Sequence, residues 1–312
     1  MLFGEMMDFE GAYELLDLAF DSGINFFDTA EMYPVPQRSE TQGKSEEFLG
    51  KWMATKKRDE VVVSTKVCGP SGQMSWIRGG PHSLDRKNIK EAVEGSLRRL
   101  GTDHIDILHL HWPDRYVPMF GEVEYDPSRA YQSIPIREQL DALGECVNEG
   151  KVRHAGLSNE TAWGLMNLLD RVLDMSLAEC CHLEGIGVLA YSPLAMGLLT
   201  GKYLREDGGP PEARLNKYKN RYAEAESRYG PKPNVTEAIK AYSDLASHWE
   251  MSLLELATRF VSNRSLISSI IFGASNSGQL REILAAASKP PLPQELAHEI
   301  DTIHQKYPNP TP

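Results

Sequence analysis

The 312-residue sequence lacks several features that would place it in a specialised class of protein. No apolar run approaches the roughly 20 residues that a membrane-spanning helix needs. The N-terminal Met1–Glu5 contains neither a basic segment nor a long apolar one, so no secretory signal is visible. The formal net charge of −11 disfavours a broad surface for nucleic acid or anionic membrane, because a polyanion would be repelled overall. We therefore expect neither a nucleic-acid nor a membrane partner.

Cysteine is also scarce, with four residues at positions 68, 146, 180 and 181. Their spacing does not match a metal-ligand pattern, and the adjacent Cys180 and Cys181 would pair with each other only under strain. Reduced, buried thiols in a reducing compartment are the simplest interpretation, and we expect a cytoplasmic protein. If a segment before Met1 has been lost, a plastid location is the alternative. No structural or catalytic metal is expected.

Short apolar runs alternate with amphipathic stretches along the chain, which predicts a parallel sheet covered by helices. A doubly wound dinucleotide-binding fold should carry a glycine-rich fingerprint in its first strand-to-helix turn, and the sequence has none. Polar residues at the carboxyl ends of the strands favour a (β/α) barrel instead. We expect residues 1–312 to form one domain of this kind. Four long irregular segments, at 33–43, 69–83, 113–135 and 205–233, are expected to be lids.

Four residues with related chemistry follow successive apolar runs. Asp28 ends the first run, Tyr33 lies on the loop beyond it, Lys66 ends the second and His111 the third. A phenol is a poor proton donor near neutral pH, but a cation beside it favours the phenolate. A carboxylate can hold that cation, and an imidazole can donate a hydrogen bond to a carbonyl oxygen. Taken singly, each residue also has an ordinary structural explanation.

Several motifs resemble the aldo-keto reductase superfamily. They are Phe26-Phe27-Asp28-Thr29-Ala30, Ser64-Thr65-Lys66, His109-Leu110-His111-Trp112, Gly156-Leu157-Ser158-Asn159, Tyr191-Ser192-Pro193-Leu194 and Gly273-Ala274-Ser275. The run from Ala30 to Pro36, followed by Glu40-Thr41-Gln42-Gly43, resembles the Tas-like branch. The resemblance implies a (β/α)8 TIM barrel and an NADPH-dependent reduction of a small carbonyl substrate. It assigns the acid to Tyr33, its lysine partner to Lys66, the orienting carboxylate to Asp28 and the carbonyl-binding imidazole to His111.

The same resemblance implies which residues bind the cofactor. Tyr191 would stack on the nicotinamide, and Ser158 with Asn159 would bind its carboxamide. The remaining expected contacts are with the pyrophosphate (Ser192, Pro193, Leu194, Gly197 and Lys202), the 2′-phosphate (Arg214, Gly273 and Ser275) and the adenine (Gln279 and Glu282). Ile283 stands where the family commonly has asparagine. The run from Gly197 to Lys202 is not a nucleotide-binding P-loop, because Tyr203 replaces the required serine or threonine.

The chain departs from the family pattern at two places. Met1–Gly4 resembles only the tail of the first barrel strand, and no apolar strand lies between Leu169 and Ser176. The family carries there a strand whose glutamine contacts the nicotinamide amide. We therefore expect an incomplete barrel with about six recognisable strands instead of the usual eight.

Other functions remain open from the sequence. A non-catalytic cofactor-binding module resembling potassium-channel β-subunits would keep the fold, although those proteins carry asparagine where this chain has His111. An inactive, truncated paralogue is a second alternative. A third is a metal-dependent hydrolase, because His109 and His111 form an H-x-H pair on one strand face. The sequence leaves the physiological substrate, the oligomeric state and any protein partner undetermined.

Overall fold

The computed structural model describes residues 1–80, 83–118, 124–159 and 167–311. The chain forms two compact units. The first contains Met1–Val117, Asp126–Glu160 and Gly273–Leu280, and the second contains Pro118–Tyr125, Thr161–Phe272 and Arg281–Pro312. Each unit is described by itself below. The single-domain organisation stays a prediction.

The first unit is a four-stranded parallel sheet with helices between its strands. Its strands are β1 (Phe26–Asp28), β2 (Val62–Val67), β3 (Ile105–Leu110) and β4 (Val152–Leu157), hydrogen-bonded in the order β1-β2-β3-β4. Its longer helices are α1 (Phe9–Asp21), α2 (Lys44–Met53), α3 (Arg86–Leu100) and α4 (Ile136–Asn148). Spatial order follows chain order, so each strand pairs with the next one along the chain.

Local sequence explains where these helices begin and end. The side chain of Asp8 accepts a hydrogen bond from the Gly11 amide at the start of α1, and Asp85 caps α3 through Asn88 in the same way. Gly101 ends α3 with a φ of 64°, a left-handed conformation that favours glycine. These ends bring each chain segment back to the sheet for the next strand.

The second unit contains a two-stranded parallel sheet, β5 (Val188–Tyr191) and β6 (Ile267–Ile271). Its helices are α5 (Val172–Ser176), α6 (Ala178–Leu183), α7 (Arg214–Lys217), α8 (Ala223–Tyr229), α9 (Pro233–His248), α10 (Leu253–Ser262) and α12 (Gln294–Lys306). Helix α11 (Ser277–Ala287) starts in the first unit and continues into the second. A buried cluster including Tyr242, Leu256 and Leu296 packs α9, α10 and α12 together.

Two sequence expectations are modified by these elements. The segment 205–233, expected to be irregular, contains the short helices α7 and α8. Tyr218, Tyr222 and Tyr229 are buried there, so packing stabilises turns whose sequence has little helical periodicity. The family pattern also has a helix directly after β4, and residues 160–166, where it would lie, are outside the described residues.

Six strands are present in the described part of the chain, and no described residue between β4 and β5 belongs to another strand. Leu168 and Leu169 are fully buried, and α5 and α6 follow them directly. None of the described helices is long and apolar enough to cross a membrane.

A buried ion pair ties the loop after β1 to the loop after β2. The carboxylate of Glu31 pairs with the guanidinium of Arg78 and also accepts a hydrogen bond from the Cys68 amide at 2.6 Å. Arg78 adopts a left-handed φ of 49°. Burial raises the pKa of Glu31, and Arg78 opposes this shift. The pair therefore fixes the loop that carries Tyr33 against the end of β2.

Substitution of Gly50 tests the close contact between α2 and α3. A Cβ atom at this position would lie 2.5 Å from the backbone carbonyl oxygen of Leu100. That oxygen can move away only if helix α3 moves with it. We expect Gly50→Ala to lower the free energy of unfolding by about 1–3 kcal/mol, measured by urea denaturation. Gly144→Ala is the matched control, because a Cβ in α4 meets nothing within 4 Å. That variant should gain up to about 1 kcal/mol. Equal effects from the two substitutions would contradict the packing.

Replacing one member of the buried pair should be costly. Arg78→Met leaves the Glu31 carboxylate buried without its cation, and we expect a loss of about 3–5 kcal/mol in unfolding free energy. Adding Glu31→Gln should recover part of this loss. Arg137→Met provides the control, since Arg137 and Asp141 form an exposed pair in α4. The control should change stability by less than about 1 kcal/mol. A small effect of Arg78→Met would show that this pair does not hold the two loops together.

Candidate active site

The parallel register places the predicted catalytic residues at one end of the first unit's sheet. Asp28 is the last residue of β1 and is in register with Ser64 of β2, while Lys66 is in register with His109 of β3. His111 follows directly after β3, and its amide donates to the Val67 carbonyl at 2.9 Å. The carboxyl ends of parallel strands meet at the same edge, which explains why residues distant in sequence come together.

Lys66 and Asp28 form a buried ion pair. The Lys66 ammonium donates to the Asp28 Oδ2 atom at 2.5 Å and to the Thr29 carbonyl at 2.7 Å. Both side chains are about one-tenth exposed, at 11% each. The second oxygen of Asp28 accepts a hydrogen bond from the Ser64 hydroxyl at 2.8 Å. Lys66 is therefore held by two groups, the Asp28 carboxylate and the Thr29 carbonyl, and the carboxylate is itself held by Ser64.

Tyr33 and His111 lie beside this ion pair. The Lys66 ammonium is 5.3 Å from the centroid of the Tyr33 ring, and the Tyr33 and His111 rings are 5.6 Å apart in an edge-to-face arrangement. Burial, followed by the charge of Lys66, lowers the pKa of His111 well below its usual value. The imidazole is therefore neutral near pH 7 and offers one N–H donor. The four predicted residues converge in the structure.

Ser158 and Asn159 lie next to this group, as predicted for residues near the nicotinamide. The Ser158 amide donates to the Leu110 carbonyl at 2.9 Å, and the Asn159 side chain donates to the His111 carbonyl at 2.7 Å. Asn159 has a φ of 53°, in the left-handed region. The segment after β4 is thus tied to the residue that would bind the substrate carbonyl.

The predicted phosphate-binding residues of the second unit cluster after β5. Ser192, Met196 and Gly197 all have positive φ, and such turns direct successive backbone amides towards an anion. Gly197 has a φ of 94°, and the Lys202 ammonium lies close to it, 2.9 Å from where a Cβ atom would be. Burial, followed by the charge of Arg214, lowers the pKa of Lys202. Neither cation makes an ion pair within the described residues, and this arrangement fits a phosphate group.

The other predicted cofactor contacts are less closely grouped. Tyr191 ends β5, and its hydroxyl accepts a hydrogen bond from Arg228 at 3.2 Å. In the first unit, the Ser275 amide and hydroxyl both donate to the Gln279 side chain, at 3.0 and 2.8 Å. These donors would have to exchange partners to meet a phosphate. The other predicted residues are half-buried Leu194, buried Pro193, and exposed Gly273 and Glu282.

Sequence reasoning missed two parts of this site. It assigned no role to Glu31 and Arg78, although a glutamate between Ala30 and Met32 interrupts an apolar stretch and was a detectable signal. It also missed Ser64, and it considered His109 only as a metal ligand. In the described residues, no group of three histidine, cysteine, aspartate or glutamate side chains is placed to hold a metal ion.

Comparisons with known proteins agree on one protein family. Residues 1–305 match the Aldo/keto reductase family. The chain is 36% identical to Protein tas of Escherichia coli (strain K12), over 100% of this chain and 94% of the relative. It is 39% identical to an aldo-keto reductase of Babesia bovis over 80% of this chain and 98% of that protein. A probable voltage-gated potassium channel subunit beta of Oryza sativa subsp. japonica is 29% identical, over 99% of this chain and 92% of the relative.

The alignment with Protein tas extends over 334 positions, whereas this chain has 312 residues. The family match implies the predicted (β/α)8 barrel class, and the six parallel strands found in the described residues agree with it. By the family match along nearly its whole length and its identity to Protein tas, the chain belongs to the aldo/keto reductase family.

Proposed function

We propose that this protein is an NADPH-dependent, cytoplasmic aldo-keto reductase that reduces a small aldehyde or ketone to an alcohol. The observation that carries the proposal is the convergence of Tyr33, the Lys66–Asp28 ion pair and His111 in one buried group. The oxidoreductase family of the relatives supports it. Bound NADPH would supply the hydride that reaches the carbonyl carbon.

The protein's own residues would orient the carbonyl oxygen of the substrate and supply the proton that it receives. The neutral His111 donates an N–H to the carbonyl oxygen and orients it, because burial keeps the imidazole uncharged. As negative charge develops on that oxygen, the Tyr33 hydroxyl transfers its proton to it. Lys66 then stabilises the phenolate that remains, and Asp28 holds Lys66 in place. The alcohol leaves, and Tyr33 regains a proton from solvent.

Cofactor contacts are proposed separately in each of the two units. The turn at Ser192–Gly197 and Lys202 are proposed to bind the pyrophosphate, and Arg214 to bind the 2′-phosphate. Ser158 and Asn159 would contact the carboxamide, and Tyr191 the nicotinamide ring. The selectivity for NADPH depends on Arg214 and Ser275. Gln279 and Glu282 remain the proposed adenine contacts.

A non-catalytic cofactor-binding module is the second candidate. The similarity to a rice protein named as a probable potassium channel subunit beta, over 99% of this chain, favours it. The two functions are distinguished by one measurement with purified protein. A reductase consumes NADPH when an aldehyde is added, whereas a binding module holds NADPH without consuming it.

Tyr33→Phe tests the acid directly. Removing the hydroxyl should lower kcat by about 10²- to 10⁴-fold, the usual contribution of a positioned acid, while the dissociation constant of NADPH stays within about twofold. Tyr13→Phe is the matched control, because Tyr13 lies on α1 and its hydroxyl donates to the Thr55 hydroxyl in the turn after α2. Steady-state kinetics on a panel of aldehydes and fluorescence titration with NADPH give the two readouts. Unchanged turnover in the Tyr33 variant would remove it as the acid.

Arg214→Met and Lys202→Met test the phosphate assignments. Arg214→Met should weaken NADPH about tenfold and leave NADH unchanged, because only NADPH carries the 2′-phosphate. Lys202→Met should weaken both cofactors, since both contain the pyrophosphate. Lys217→Met is the control, as Lys217 is exposed at the other end of α7. Equal losses of NADPH and NADH in the Arg214 variant would refute its proposed contact.

A further inference from the structure

Two polar side chains lie directly behind the proposed catalytic group. Ser64 is two residues before Lys66 on β2, and His109 is two residues before His111. Alternate residues of a strand point to the same side, so each lies one layer deeper on the same side as its partner. Ser64 is 0% exposed and His109 is 8% exposed. Burying a hydroxyl and an imidazole is unfavourable unless they are hydrogen-bonded, so their contacts should be specific.

These two residues form a short hydrogen-bonded chain that ends on Asp28. The Ser64 hydroxyl is 2.8 Å from Asp28 Oδ1, and the His109 Nδ1 atom is 3.2 Å from the same hydroxyl oxygen. A serine hydroxyl has one proton, and the carboxylate oxygen only accepts. If Ser64 donates to Asp28, then His109 must donate from Nδ1 to Ser64. The chain therefore has one direction, from the imidazole through the hydroxyl to the carboxylate.

The protonation state of His109 agrees with this direction. Burial, followed by the positive charge of Lys66, lowers the pKa of His109 to about 4. The ring is therefore neutral near pH 7, with a single N–H. Asp28 on β1, Lys66 on β2 and His111 beyond β3 are the titratable groups that face it. On β4, the residue in register with His109 is Gly156.

Gly156 provides the space that the ring occupies. A Cβ atom at Gly156 would lie 2.5 Å from the His109 Cδ2 atom and 2.7 Å from its Nε2 atom. Any larger residue at this point of β4 would displace the imidazole from Ser64. Gly156 on β4 thus leaves room for the imidazole ring, and Ser64 on β2 contacts its Nδ1 atom.

We propose that Ser64 and His109 are positioning residues that orient the Asp28 carboxylate towards Lys66, and through Lys66 stabilise the Tyr33 phenolate. This inference deepens the proposed function: the effect of Ser64 and His109 on catalysis depends on the protein being a reductase. Without the Ser64 hydrogen bond, Asp28 can rotate, and Lys66 loses part of its fixed position. The phenolate should then form at higher pH.

The first experiment needs no turnover. Ultraviolet titration of tyrosinate, taken as the difference between a protein and its Tyr33→Phe counterpart, reports the ionisation of Tyr33 alone. Ser64→Ala should move this ionisation to higher pH by about half to one unit, and His109→Phe should act in the same direction. An unchanged or lower ionisation pH in Ser64→Ala would overturn the proposal, whether or not the protein reduces a carbonyl.

Two further variants separate positioning from packing. His109→Asn keeps an N–H donor close to the Nδ1 position, so it should restore most of the shift seen in His109→Phe. Ser96→Ala removes another buried hydroxyl of the same unit, away from Asp28, and should leave the titration unchanged. If Ser96→Ala shifts the titration as much as Ser64→Ala, or if His109→Asn behaves like His109→Phe, the effect is general loosening and the inference is wrong.

Kinetics then distinguish this inference from the proposed function. We expect Ser64→Ala to lower kcat about tenfold, to move the basic limb of its pH profile upwards, and to leave NADPH affinity unchanged. A shifted titration in a protein that reduces no carbonyl would support the positioning and defeat the reductase. Activity with an unshifted titration would support the reductase and defeat the positioning.

Discussion

The buried ion pair of Lys66 and Asp28 is the interaction on which the site depends. Such pairs are weak sources of stability, because removing two charges from water offsets most of their attraction. Further hydrogen bonds support this pair, from the ammonium to the Thr29 carbonyl and from the Ser64 hydroxyl to the carboxylate. Two charges held in this way are better explained by the chemistry beside them than by folding. Lys66 lies against the ring of Tyr33, where a fixed positive charge changes how readily a phenol ionises.

Much of this arrangement could be predicted from the sequence, because the carboxyl ends of parallel strands form a common edge. Asp28, Lys66 and His111 follow apolar runs that are recognisable one by one, so the rule brings them together without knowledge of the register. Ser64 and His109 were missed since their value depends on that register. Only the pairing of Asp28 with Ser64, and of His109 with Gly156, shows that the serine meets the carboxylate and the imidazole has room.

The Glu31–Arg78 pair was missed for a different reason. The two residues are separated by 47 positions and join two irregular loops, for which no periodicity exists to be read. Helices α7 and α8 escaped prediction for a related reason, since helices of 4 and 7 residues are stabilised by packing rather than by their own sequence. Local patterns thus identify the strands and long helices, whereas the contacts that hold loops in place depend on tertiary structure.

The described strands bear differently on the two halves of the proposed chemistry, proton transfer and cofactor binding. The proposed proton-transfer group and its supports come from β1, β2, β3 and the loops that follow them, and these three strands are hydrogen-bonded consecutively. Their geometry therefore does not require a strand between β4 and β5. The edge strand β4 carries exposed Arg153, and a charged residue at a sheet edge disfavours pairing with other chains. The strand expected between β4 and β5 is absent from the described residues, and the family resemblance gives its glutamine a contact with the nicotinamide. That expectation concerns how the cofactor is held, whereas the residues proposed to protonate the substrate have their support in β1, β2 and β3.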